Sequence, residues 1–61
     1  MRPEFQHLVD KLDELSRQKA EALASGAAKD FAEYRYLVGT INGLKQAAQE
    51  IETYGRAYDD D

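Results

Sequence analysis

Cysteine is absent from the 61 residues, histidine and proline occur once each, and each scarcity removes a way of making so short a chain stable. Without cysteine no disulfide can tie the fold. A structural zinc site wants four Cys or His ligands, and His7 is the only one present. A core of this size contributes no more than about 3–5 kcal/mol, so oligomerisation or docking on a larger partner is what remains. The length allows one domain, spanning residues 1–61.

Basic charge is also in short supply. Eight Lys and Arg stand against twelve Asp and Glu, a formal charge of −4. Arg2, Lys11, Arg17, Lys19, Lys29, Arg35, Lys45 and Arg56 are scattered among acids. Nucleic-acid binding needs them gathered on one face, so that class is not expected. No apolar run approaches the ~20 residues of a membrane span, and Met1-Arg2-Pro3-Glu4 leads into a heptad pattern with no signal-type apolar region. The expectation is a cytoplasmic chain without membrane contact.

Reactive constellations are missing too. Glu4-Phe5-Gln6-His7 has the Glu-x-x-His spacing of di-iron bundles, but such a site needs inward carboxylates from a second helix, and the second apolar stripe offers none. Ser16 and Ser25 have no nearby base. The four glycines are too dispersed to cradle a phosphate, and Asp59, Asp60 and Asp61 read as a solubilising end. No catalytic, cofactor-binding or metal-binding residue is expected, and the chain is not expected to be an enzyme.

What is present is helical periodicity. Tyr34, Leu37, Ile41, Leu44, Ala48, Ile51, Gly55 and Tyr58 are separated by alternating steps of three and four, one stripe along one helix. The first half repeats the device with Phe5, Leu8, Leu12, Leu15, Lys19 and Ala22, widened by Val9 and Leu23. Lys19 falls on this seam, either as a stem with its ammonium in water or as the partner of Glu52 or Glu33. Asp13 and Arg17 form an i, i+4 pair on the outer side.

Pro3 and Glu4 start a helix, Gly26 suits a left-handed C-terminus, and Asp30 with Glu33 has capping-box spacing. The pattern predicts an all-α fold: an antiparallel two-helix hairpin with a coiled-coil-like seam. Helix one covers about 3–24, a loop about 25–29 and helix two about 30–55, ended by Gly55, with an acidic tail over 56–61 that frays. Tyr34 to Ile41 is rich in strand formers and Asn42-Gly43 is a hairpin-turn signal, but the helical alternation crosses the region without a phase slip.

Gly39 and Gly43 each cost a helix interior about 0.8–1 kcal/mol relative to alanine. They point about 120–160° away from the stripe, in the direction shared by Ala32, Tyr36, Ala47, Tyr54 and Ala57. Small residues four apart let helix backbones approach, and tyrosine is favoured at interfaces. Ala32, Tyr36, Gly39, Gly43, Ala47 and Tyr54 are therefore the expected protein interface; the competing reading is a tolerated glycine pair near a bend.

The stretch from Gly26 to Ile51, in particular Lys29-Asp30-Phe31-Ala32-Glu33-Tyr34-Arg35 followed by Leu37-Val38-Gly39-Thr40-Ile41-Asn42-Gly43-Leu44, resembles short uncharacterised proteins encoded among the head and neck genes of tailed bacteriophages. The likeness covers under half of the chain. It implies a small virion or assembly protein packed in several copies against capsid, portal or tail proteins, hence a virion location. The expectation is thus a structural or assembly protein acting through self-association, a larger partner, or both. The alternative is a small acidic regulator or inhibitor, anti-host or antitoxin-like, that binds a basic target.

Overall fold

The computed structural model describes residues 2–59. Two helices, α1 (Pro3–Ala24) and α2 (Phe31–Asp59), pack against each other as an antiparallel hairpin with no strand among the described residues. The molecule measures 48 × 15 × 11 Å, its long axis little more than the ~44 Å rise of a 29-residue helix.

Each turn of chain direction has a local cause. Arg2 is extended and its carbonyl accepts from the N–H groups of Phe5 and Gln6, both at 3.0 Å, while Pro3 sits where a missing N–H costs nothing. At the far end of α1 the N–H of Ala27 donates to the Ala22 carbonyl at 3.0 Å and that of Gly26 to the Leu23 carbonyl at 3.2 Å. This is the Schellman pattern, and Gly26 occupies its left-handed position with φ 86°. At the start of α2 the Asp30 carboxylate accepts the Glu33 N–H at 2.8 Å. The Glu33 carboxylate reaches back to the Lys29 N–H at 2.9 Å, one residue before the N-cap. Six residues, 25–30, separate the two helices, so the helices must fold back on each other.

The seam is rotated from the one that the leucines of α1 mark out. Val9 is 2% exposed and Ser16 5%, whereas Leu8 is 47% exposed and Leu15 half-buried. On α2 the buried positions are Ala48 and Gly55. Three of these four residues are small, and small side chains let helix axes lie close. A leucine at position 16 would hold the helices apart; the larger residues Phe5, Leu12, Leu44 and Ile51 straddle the contact half-buried instead. Lys19 is exposed and pairs with no acid among the described residues.

Gly55 does not end α2. It is buried inside the helix, which runs to Asp59, so residues 56–59 belong to it and not to a frayed tail. Two features hold this last segment. Gly55 permits close approach to α1, and Tyr58 packs against Phe5 and lies under the Arg2 guanidinium, 4.5 Å from its ring centre. Asp60 and Asp61, expected to fray, lie outside the described residues. The strand-like segment from Tyr34 to Ile41 and the Asn42-Gly43 pair are helical throughout.

Candidate functional site

Ala32, Gly39, Gly43 and Ala47 of the expected interface are all exposed along α2. A methyl group built at Gly39 or Gly43 would meet nothing within 4 Å. Within the hairpin, then, the two glycines make no close contact that a side chain would spoil. Tyr36 stands beside them 73% exposed. Its backbone carbonyl accepts the Thr40 hydroxyl at 2.9 Å, and its ring enters none of the aromatic pairs among the described residues.

Tyr54 is placed differently from the other five. It is 57% exposed, yet its ring meets Phe5 edge-on at 5.7 Å and Tyr58 at 5.6 Å. Edge-to-face rings at this separation attract through their quadrupoles, so Tyr54 is fixed in orientation while one side stays open. With Phe5, Leu8, Ile51 and Glu50 it walls an open groove of about 320 Å³ at the end of the hairpin away from the turn. All its walls but Glu50 are apolar or aromatic.

Periodicity alone places Phe5, Leu8 and Ile51 on the seam and so hides the groove. A signal for it exists: Leu8, Leu15 and Ala22 recur every seven residues beside the true seam line of Val9, Ser16 and Leu23. A doubled stripe is wider than one neighbouring helix can cover. The surplus apolar side chains emerge on one broad side of the hairpin, where Leu8 and Ile51 meet at the groove.

Polar contacts gather elsewhere. On α1, Arg17 pairs with Glu14 and Glu21, not with the Asp13 expected from spacing, and Gln18 donates to Glu14 at 3.3 Å. Glu14 can accept from both neighbours at once, three and four residues on, which Asp13 with its shorter arm does not match. The hydrogen bond from Arg17 and that from Gln18 hold the Glu14 carboxyl below its ordinary range, and the same Glu14 contact raises Arg17. Gln6 donates to Asp10 at 2.9 Å, and Arg56 lies 3.7 Å from Glu52.

Among the described residues no three His, Cys, Asp or Glu side chains converge as a metal would need, and no helix is long and apolar enough to cross a membrane. Set beside models of known protein families, curated proteins and solved structures, the chain matches none.

Proposed function

We propose that this hairpin is a non-enzymatic structural or assembly protein that acts by packing the outer face of α2 against another protein. The observation that carries the reading is the open strip of Gly39 and Gly43 beside an unpaired, 73% exposed Tyr36. Two interior glycines forgo about 1.6–2 kcal/mol of helix stability, a large share of what so small a core provides. That loss is intelligible if another backbone lies where side chains would otherwise stand.

The resemblance of the Gly26–Ile51 stretch to small proteins of phage head and neck gene clusters supports a place in a virion, beside capsid, portal or tail proteins. The acidic-regulator reading draws less support, because Glu14 and Glu21 on the outer side of α1 are already engaged by Arg17. Where a phage encodes the chain, mass spectrometry of its purified virions tests the proposal. A fixed copy number relative to the major capsid protein is the expected result. Absence from virions, together with salt-sensitive binding to a basic target, would replace it with the regulator.

A further inference from the structure

We infer that the groove walled by Phe5, Leu8, Ile51 and Tyr54 receives Tyr36 of a second copy of this chain, the two α2 helices lying antiparallel about a two-fold axis near Lys45. The inference rests on the packing role proposed above and names its partner. The groove is apolar, open and set beside a tyrosine already fixed by Phe5 and Tyr58. What it lacks is an occupant, and Tyr36 is an exposed ring that lacks a pocket.

Register brings the two together. Tyr36 and Tyr54 lie equally far on either side of position 45, and so do Gly43 and Ala47. When two such helices run antiparallel about that position, Tyr36 of each falls level with Tyr54 of the other. At 100° per residue these four residues point within about 20° of one direction, so they share one face. An isologous interface demands this kind of self-complementary pattern, since every contact is made twice. The exposed residues Gly43 and Ala47 at its centre allow the backbones to approach, and the tyrosines at its ends reach across.

Charge agrees with a second copy. Glu50 is the one charged residue lining the groove, and in this register it faces the level of the second copy's Thr40, with no like charge opposed.

Sedimentation equilibrium at micromolar concentration, with circular dichroism on the same samples, tests the inference on three proteins. The wild-type chain should be a dimer. Tyr36→Ala should raise the dissociation constant at least about tenfold, as loss of an aromatic anchor from its pocket does, while helicity is kept. Phe31→Ala removes a ring of nearly equal exposure, 71%, that points about 140° away round α2, and it should leave the dimer unchanged. A helical wild-type monomer at every concentration would overturn the second copy; the wider packing role would then stand or fall on the virion measurement alone. Equal weakening by both substitutions, or by neither, would overturn the groove as the docking site.

Discussion

The outer side of α1 and the outer side of α2 face the same solvent with opposite contents. On α1, Glu14, Arg17, Gln18 and Glu21 form a connected polar network. On α2 the corresponding strip is Ala32, Tyr36, Gly39, Gly43 and Ala47, with no ion pair among them. A helix whose exposed groups satisfy one another has nothing further to bury. A helix that exposes glycine and tyrosine gives up helix stability and leaves apolar area in water, and only a partner restores either. The difference between the faces, more than any single residue, sets α2 apart as the side to be covered.

The largest effect should come from the inner side that the two helices share. Val9→Asp places an unpaired carboxylate at a position 2% exposed, and its cost should approach the whole ~3–5 kcal/mol of the core. Loss of the helical circular dichroism signal at room temperature is the expected outcome; a near-native melting curve would mean that the seam lies elsewhere.

On the outer side of α2, Gly43→Leu should raise helicity and yet weaken association at least about tenfold, because leucine is the better helix former but fills the space of an approaching backbone. If the glycines only tolerate a bend, the same variant gains stability and keeps its associations. Gly39→Ala is the gentler companion. Its new methyl group meets nothing within 4 Å, so a gain of about 0.8–1 kcal/mol in hairpin stability is expected in chemical denaturation. A loss there would mean that the helix is strained at this point.

The outer side of α1 should respond least. Arg17→Ala removes exposed, solvent-screened ion pairs and should leave the melting temperature close to that of the wild-type chain. The sign of its pH dependence follows from Glu14, whose carboxyl is held below its ordinary range chiefly by the Arg17 hydrogen bond. That contribution is present above the ordinary carboxylate pKa and disappears as pH falls through the lowered value. Wild type and Glu14→Gln should therefore differ slightly in melting temperature at neutral pH and converge in acid. A difference that grows in acid would contradict the assignment.

How far the sequence could be read depended on what each signal measures. Helix starts and stops were legible because Pro3, Gly26, Asp30 and Glu33 act locally, through φ preference and one or two hydrogen bonds each. The direction of α2 was legible because its apolar stripe is narrow. The seam of α1 was not, since hydrophobicity ranks leucine above serine while close helix packing favours the small residue, and Ser16 took the buried place. Gly55 shows the same conflict: a common helix terminator by conformation, it serves here as a contact surface. The glycine strip could be located from spacing alone, but the groove could not, because it depends on which side chains the rotated seam leaves uncovered.

The central claim is that the hairpin is completed by a second copy of itself on the α2 side, and the melting temperature of the wild-type chain over about a hundredfold dilution tests it most directly. The midpoint should fall on dilution, and fall less for Gly43→Leu. A high midpoint that is the same at every concentration would show that the two helices suffice by themselves, and would contradict it.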